Sequence, residues 1–218
     1  MLVSCICVTA NRRHLIPVAL ACFVAQDYRD RELIVVDDGE DAIGDLLWSL
    51  PGRVTYRHIG RGKTVSEKVN LACELAKGDI IATWDDDDWS APGRLTDQVT
   101  RLLESGRVLT GYYTMLYWDG QKAWRYLGNS DYATGLSQVY HKDFWAAHRL
   151  QAKNVAYDND LWRDARQSGQ CIAVEGNPPL MVGRIHPLNV SPKNPVNGNQ
   201  WREEPLSAIP AAFFEAIR

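Results

Sequence analysis

Residues 79–89 read Asp-Ile-Ile-Ala-Thr-Trp-Asp-Asp-Asp-Asp-Trp, so an apolar, strand-like run leads directly into four adjacent carboxylates, Asp85 to Asp88. Two like charges about 4 Å apart cost on the order of 4 kcal/mol at an effective dielectric constant of about 20, so a passive loop gains nothing from this arrangement. Mg²⁺ and Mn²⁺ prefer carboxylate oxygens and keep coordination positions open for substrate phosphates. The run therefore predicts a divalent-cation site that takes a phosphate-bearing ligand.

Outward from this run, short apolar segments alternate with helical patterns through the first half of the chain. The patterns predict strands at residues 3–8, 32–36, 54–58 and 79–84, and helices at residues 15–26, 42–49 and 65–76. This alternation is typical of an α/β fold with a largely parallel central sheet. Asp37-Asp38 also ends a predicted strand, and open α/β sheets bind ligands at the carboxyl ends of their strands. The two acidic strand ends therefore predict one site between them.

The second half of the chain is richer in aromatic residues and alternating segments. It predicts a hairpin of residues 108–118 and 122–127, strands at 171–174 and 180–185, helices at 92–103, 159–168 and 206–217, and a loop at 189–199. No repeat or linker is visible. We expect a single domain, residues 1–218, with the parallel part in residues 1–105 and a smaller antiparallel part in residues 106–218.

The composition is that of an ordinary globular chain, with 218 residues, 45% hydrophobic residues and a formal net charge of −3. This charge argues against a strongly basic, nucleic-acid-binding surface. Five cysteines without a CxxC pair favour a reducing compartment, and we expect Cys5 and Cys7 to be core thiols. Because no apolar stretch approaches about 18 residues and no signal peptide is visible, we expect a cytoplasmic protein without an integral membrane segment.

Two other phosphate- or cation-binding motifs fail on spacing. Gly62-Lys63-Thr64 lacks the glycine that a P-loop needs five residues earlier, where the chain has Arg57. A calcium loop starting at Asp85 would need glycine and glutamate where Ser90 and Thr96 stand.

Five segments within nearly the first 100 residues follow one another in an order that a known enzyme family shares. They are Val8-Thr9-Ala10-Asn11-Arg12, Gln26-Asp27-Tyr28, residues 32–39, Lys68-Val69-Asn70-Leu71-Ala72, and Ala76-Lys77-Gly78-Asp79 with the aspartate run behind it. Together they resemble family 2 glycosyltransferases. The resemblance implies the GT-A (Rossmann-like) fold, with residues 1–105 as the nucleotide-sugar-binding half and residues 106–218 as the acceptor-side half.

The resemblance also implies a donor site at the strand ends. In such enzymes the end of the first strand and the aspartate after the second strand hold the nucleotide base and ribose, which here means Thr9, Asn11 and Asp38. Lys68 matches a basic residue near the donor. Glu40-Asp41 replaces the usual serine or threonine after the second strand, which weakens any inference about the nucleotide.

Within the aspartate run, the resemblance implies a DxD-type motif that binds the donor and a Mn²⁺ or Mg²⁺ ion. Asp85 and Asp86 would contact the donor, and Asp87, together with Asp85, would hold the metal. Because the run has four aspartates, the motif can be placed at either of two positions within it. Asp88 could instead contact the metal ligands without binding the metal, or cap the following helix. In the segment 184–191, His186 matches a histidine that reaches the metal or diphosphate, although a histidine after a strand is often only a packed or surface residue.

Asp158 matches the general base in the family's Glu-Asp segment at the start of a helix. Tyr157 stands where glutamate is usual, and an aspartate at this point is also a good helix N-cap. Asp160 is the second candidate for the base. Gly135 lies where the family often has a small residue near the acceptor.

The chain is predicted to be a metal-dependent, inverting glycosyltransferase. It would move a sugar from a nucleotide-diphosphate donor, in which the nucleotide is UDP, to an acceptor hydroxyl. The acceptor could be a glycan, a lipid-linked sugar, a protein or a modified nucleobase. One alternative is a sugar nucleotidyltransferase, which would normally carry a glycine-rich basic loop that residues 9–13 lack. The other is a non-catalytic nucleotide-sugar-binding module, for which Tyr157 is the hint.

Aromatic residues of the second half have two interpretations. They could form a platform for a sugar or base, or they could simply pack, which is commoner for alternating aromatics in a hairpin. The residues concerned are Tyr112, Tyr113, Tyr117, Trp118, Trp124, Tyr126 and Tyr132.

Overall fold

Strands and helices alternate through the first part of the chain, as the apolar periodicity predicts. The computed structural model describes all 218 residues. The first elements are β1 (Val3–Thr9), α1 (Ile16–Val24), β2 (Arg31–Asp37), α2 (Gly44–Leu47), β3 (Arg53–His58), α3 (Val65–Leu75) and β4 (Ile80–Thr83). Each predicted strand and helix of this part is present, and the boundaries differ by a few residues.

The remaining elements are shorter and less regular. They are β5 (Trp89–Ser90), α4 (Arg94–Ser105), β6 (Leu109–Tyr112), β7 (Thr114–Trp118), β8 (Ala123–Leu127), β9 (Val139–His141), α5 (Lys142–Ala147), α6 (Tyr157–Gln167), β10 (Cys171–Val174), β11 (Met181–Arg184), β12 (Trp201–Glu204) and α7 (Ala211–Ala216). None of the helices combines the length and the apolar character needed to cross a membrane.

Two sheets organise these strands. The larger has seven strands in the order β10-β6-β9-β4-β1-β2-β3 and is parallel except where β9 pairs with β4 and β6. The smaller has five strands in the order β12-β8-β7-β11-β5. It is antiparallel except for the parallel pair β7 and β11. The prediction of a largely parallel central sheet with a smaller antiparallel part is confirmed.

Both sheets contain strands from either side of residue 105. β9 inserts into the larger sheet beside β4, and β5 pairs with β11 in the smaller one. Since neither half completes a sheet alone, we propose that residues 1–218 form one domain, as expected from the sequence.

Two predicted elements of the second half are wrong in detail. The strand expected at residues 108–118 is divided at Tyr113, whose backbone N–H donates to Val174 and whose carbonyl accepts from Gly128, so β6 and β7 join different sheets. The helix expected at residues 206–217 is divided at Pro210, which has no backbone N–H to donate. A short 3₁₀ turn, Leu206–Ala208, precedes α7.

The larger sheet is covered by apolar side chains on both faces. Cys5 and Cys7 of β1 belong to a buried cluster of 25 residues, while Ile6 belongs to a second cluster of 17 residues. This follows from the alternation of side chains along a strand. Cys5 and Cys7 are therefore core thiols, as predicted.

Helix α3 is fixed at its first residue by a capping box. The Thr64 hydroxyl accepts from the backbone N–H of Glu67, and the Glu67 carboxylate accepts from the backbone N–H of Thr64 at 2.8 Å. This arrangement satisfies backbone donors that the first turn would otherwise leave unpaired. It also fixes Lys68, one residue further along the helix, at the carboxyl edge of the sheet.

Candidate active site

Two buried tryptophans hold the ends of the aspartate run. Trp84 and Trp89 flank the four carboxylates and are 2% and 4% exposed. The Trp84 indole N–H donates to the carbonyl of Ala19 at 3.0 Å. Because these large apolar side chains are buried, the polar run between them is confined to the edge of the sheet where β4 ends.

The carboxylates of Asp85, Asp87 and Asp88 converge. One oxygen from each lies within 4.8 Å of the others. Such a set of hard oxygen donors suits Mg²⁺ or Mn²⁺. Asp85 accepts no hydrogen bond from the protein. It lines a cavity of about 780 Å³, which we call the main cavity, so its oxygens are available to a ligand. The residues present therefore fit a divalent cation.

This grouping differs from the predicted metal site, which contained Asp85, Asp87 and His186. The structure adds Asp88 to the converging carboxylates and places His186 behind Asp87, with its Nε2 3.0 Å from Oδ2 of that residue. Asp88 accepts from the backbone N–H of Arg184 at 2.8 Å. It does not cap the following helix α4, which has no side-chain cap.

Asp86 points away from this group and toward the end of β1. It accepts a hydrogen bond from the Thr9 hydroxyl at 2.5 Å and one from the Arg12 guanidinium at 2.8 Å. Arg12 also lies 3.2 Å from Oδ2 of Asp87, so one guanidinium bridges two neighbouring carboxylates. Sequence reasoning missed this role of Arg12, although a basic residue at a strand end facing an acidic strand end could have indicated it.

Protonation of the run is set by burial and by these contacts. Burial, and then the charges of Asp87 and Asp86, raise the pKa of Asp85 to about 7. Burial alone would raise the pKa of Asp87 as well, but the His186 hydrogen bond and the Arg12 charge outweigh it, and the pKa is lowered. Burial also raises the pKa of Asp88 well above its usual range, so Asp87 is the one carboxylate of the converging group that is firmly ionised, while Asp85 binds a proton near neutral pH.

The predicted donor residues gather beside the run. The Lys68 ammonium donates to Asp38 at 2.6 Å and to the carbonyl of Thr9 at 3.1 Å, and both charged residues are buried. Asn11 has a positive φ of 55°, which asparagine tolerates better than most residues, and its Oδ1 accepts from the backbone N–H of Glu40 at 2.7 Å. Lys68 thus links the ends of β1 and β2 to helix α3.

Asp158 lies in the first turn of α6 and lines the main cavity. Its carboxylate accepts a hydrogen bond from the Tyr132 hydroxyl and packs directly against Gly135, where a Cβ would overlap the carboxylate. The N-cap interpretation of Asp158 is wrong, because the helix begins at Tyr157 and its N-cap is Ala156. The small residue expected near the acceptor therefore makes room for the predicted base.

Asp160, the second candidate for the base, is paired with basic side chains outside the main cavity. It forms ion pairs with Lys153 and with Arg163, the latter at 2.9 Å. It is not among the residues that line the main cavity, whereas Asp158 and Asn159 are.

A single cavity of about 780 Å³ connects these groups. Of the predicted site residues, Asp38 and His186 do not line it and instead support Lys68 and Asp87 from behind. Those that line it are Thr9, Asn11, Lys68, Asp85, Asp86, Asp87 and Asp158.

The second half contributes lining residues that the sequence did not indicate. Arg184 lines the cavity with a guanidinium that makes no hydrogen bond or ion pair within the protein, and Trp201 lines it from β12. Asn189 donates to Asp87 at 3.2 Å. These residues follow the aspartate run by about 100 positions and share no motif with it, so no local signal could have found them.

The aromatic residues of the second half divide into two groups. Tyr117, Tyr126 and Tyr132 line the cavity. Tyr112, Tyr113, Trp118 and Trp124 do not, and Trp118 packs against Phe213 of α7. Packing is therefore the right interpretation for Tyr112, Trp118 and Trp124, which belong to or pack against the apolar clusters.

Comparisons with known proteins bear on this site. The family described as "Glycosyl transferase family 2" matches residues 4–161. The putative colanic acid biosynthesis glycosyl transferase WcaA of Escherichia coli (strain K12) is 33% identical over 99 residues, which is 44% of this chain and 36% of that protein.

Two solved structures show the same fold at low sequence identity. The crystal structure of S. aureus TarS 1-349 in complex with UDP gives a TM-score of 0.72 at 15% identity, covering 86% of this chain and 61% of that one. The mannosyltransferase PcManGT from Pyrobaculum calidifontis, in complex with GDP-Man and Mn²⁺, gives 0.70 at 16% identity, covering 86% and 58%. This chain thus spans less than two thirds of each of these relatives.

Proposed function

The chain belongs to glycosyl transferase family 2, and on that premise we propose that it transfers a sugar from a nucleotide-diphosphate donor, UDP-linked, to an acceptor hydroxyl. One observation carries the proposal. A single cavity holds a cluster of converging carboxylates on one wall and a separate carboxylate, Asp158, on another. The first arrangement suits a diphosphate with its cation, and the second suits proton abstraction from an acceptor.

On the donor side, the carboxylates of Asp85, Asp87 and Asp88 would hold Mn²⁺ or Mg²⁺, which supplies positive charge against the departing diphosphate. The mannosyltransferase PcManGT was solved with Mn²⁺ and supports this choice of ion. Arg184 adds the positive charge of a protein side chain. Its guanidinium has no protein partner and lines the cavity, so it can bind phosphate oxygens in a bidentate manner.

On the acceptor side, Asp158 removes the hydroxyl proton as the oxygen attacks the anomeric carbon, with inversion. The Tyr132 hydroxyl and the close approach of Gly135 hold the carboxylate in one orientation. Because Asp160 is paired with Lys153 and Arg163 outside the cavity, Asp158 is the better candidate for the base.

Nucleotide binding can be tested by thermal unfolding with UDP, GDP, UDP-glucose, UDP-GlcNAc and GDP-mannose, each with Mn²⁺ or with EDTA. A ligand at 100 times its Kd stabilises the native state by about 2.7 kcal/mol, and each kcal/mol raises the Tm of a chain of this size by roughly 2–4 °C. We expect an upward shift of about 5–11 °C with a UDP compound and Mn²⁺. The shift should be absent from Asp87→Ala and retained by Asp160→Asn, the control outside the cavity.

The same samples separate the alternatives. Release of UDP from a UDP-sugar indicates a transferase, since water can replace the acceptor. Pyrophosphate release from UTP and a sugar 1-phosphate would instead indicate the sugar nucleotidyltransferase. Tight binding without any turnover would indicate the non-catalytic module, and a shift with GDP-mannose alone would refute the choice of nucleotide. The absence of any nucleotide shift in the wild-type protein would refute the proposal as a whole.

A further inference from the structure

Three aromatic side chains form a cluster on the wall of the cavity made by the smaller sheet. The ring of Trp201 lies 4.9 Å from that of Tyr117 and 5.2 Å from that of Tyr126, at interplanar angles of 70° and 60°. All three line the cavity that holds Asp158. We call these residues the aromatic wall.

The aromatic wall has a fixed base and an accessible top. Tyr117 is only 4% exposed, and its ring packs on the backbone of Gly183, where a Cβ would overlap the ring. Trp201 and Tyr126 face each other across the β8–β12 pairing, and both are half-buried. The Trp201 indole N–H donates to no protein group. The wall thus offers an apolar face together with one free hydrogen-bond donor.

The aromatic wall shares its cavity with Asp158, the predicted base. Tyr132, whose hydroxyl donates to the Asp158 carboxylate, lines the same cavity as Tyr117, Tyr126 and Trp201. Most of the groups suited to the donor lie on other elements, at the ends of β1 and β4, while Arg184 lies on β11, the strand next to β7. The aromatic wall is therefore available to the acceptor, whose hydroxyl attacks the donor sugar.

A pyranose ring matches this surface chemically. Its axial C–H groups form an apolar face that stacks on an aromatic ring, while its equatorial hydroxyls remain free to bind donors at the edge. A polyprenyl chain would use the apolar rings but leave the indole N–H without a partner. We propose that the acceptor is a glycoside whose pyranose ring stacks on the aromatic wall, with Trp201 as its main contact; this inference rests on the function proposed above.

Direct binding of small glycosides tests this proposal without knowledge of the natural acceptor. The probes are methyl β-glucoside, methyl β-galactoside, methyl α-mannoside and methyl N-acetyl-β-glucosaminide, each titrated in saturation-transfer NMR with UDP and diamagnetic Mg²⁺ present. The wild-type protein is compared with Trp201→Ala, with Trp201→Phe, which keeps an aromatic ring, and with Trp48→Ala. Trp48 is 86% exposed and does not line the cavity, so it is a matched control for the loss of a tryptophan.

We expect at least one glycoside to bind the wild-type protein and Trp48→Ala equally. Trp201→Ala should bind it about tenfold more weakly, and Trp201→Phe should recover most of the affinity. Every variant should remain folded at the temperature of the titration, as shown by its thermal unfolding curve, and should bind UDP with unchanged affinity, which excludes misfolding as the cause.

Three results would overturn the aromatic wall as a sugar platform. The first is that no glycoside binds the wild-type protein, and the second is that Trp201→Ala binds the glycosides as tightly as the wild-type protein does. The third is that geranyl phosphate or cytidine, tested in parallel, binds in a manner that depends on Trp201 while the glycosides do not. Failure of the wild-type protein to bind UDP would instead refute the proposed function, so the two failures are distinguishable.

Discussion

Replacing Lys68 with methionine should destabilise the fold strongly, because it leaves the buried Asp38 carboxylate without its partner. The two side chains are 5% and 9% exposed, their charged atoms lie 2.6 Å apart, and Lys68 also donates to the carbonyl of Thr9. Removing one member of a buried ion pair costs about 3–5 kcal/mol, since the other charge stays in a poorly solvated place. At roughly 2–4 °C per kcal/mol, we expect the Tm to fall by about 6–20 °C.

The measurement is reversible chemical or thermal unfolding of Lys68→Met, Asp38→Asn and the double variant. The double variant should lose less stability than the two single variants added together, because it contains no unpaired buried charge. Lys63→Met is the matched control. Lys63 pairs with Glu67 at 3.3 Å on the surface, where about half of its side chain is exposed, so the same substitution should change stability by less than about 1 kcal/mol.

Equal losses from Lys68→Met and Lys63→Met would refute the reasoning. The pair of Lys68 with Asp38 would then be solvated in the native state, and Lys68 would be better described as a donor-binding group alone. A second readout is UDP affinity measured well below the Tm. A fall in affinity of folded Lys68→Met, beyond the loss of stability, would show that Lys68 also contacts the donor.

Three further predictions concern the cavity. Asp158→Asn should bind UDP normally but release UDP from a UDP-sugar about 10²–10⁴ times more slowly, as expected for loss of a general base, and full activity would exclude this role. Gly135→Ala should reduce turnover by about 10²-fold at unchanged UDP affinity, because the added Cβ displaces the Asp158 carboxylate. Mn²⁺ affinity, measured by calorimetry, should fall as the pH is lowered from about 8 to about 6, because Asp85 has its pKa raised to about 7 by burial and takes up a proton that competes with the cation. A pH-independent affinity, or an Asp85→Asn variant with the same pH profile, would contradict that assignment.

The order of strands and helices in the first half was predictable because its signals are local. Apolar periodicity marks each element, and Thr64 with Glu67 marks the start of α3. The general rule that ligands bind at the carboxyl ends of parallel strands then placed the aspartate run near Asp38. In the second half, β6 and β7 read as one strand, since nothing local to Tyr113 shows that its two sides enter different sheets.

The partners of the aspartates were not predictable in the same way, because they come from distant parts of the chain. His186 is 99 residues from Asp87 in sequence, and Asn189 is 102 residues away. Trp201 follows both, on the edge strand β12, outside the residues that match the family. Such contacts depend on how β11 and β12 pair in the smaller sheet, and pairing between distant strands leaves no periodic signal within either one.

The aspartate run shows why four identical neighbours could not be assigned roles from their order alone. Asp85 has no protein partner, Asp86 is bonded to the end of β1, Asp87 is held by a histidine and an arginine, and Asp88 is bonded to the backbone of β11. Each environment is supplied by a different element, and only that of Asp87 lowers the pKa, since burial and the neighbouring charges raise the pKa of Asp86 and Asp88. Because Asp85 accepts no hydrogen bond from the protein and lines the cavity, its oxygens are the ones in the run most available to a bound cation.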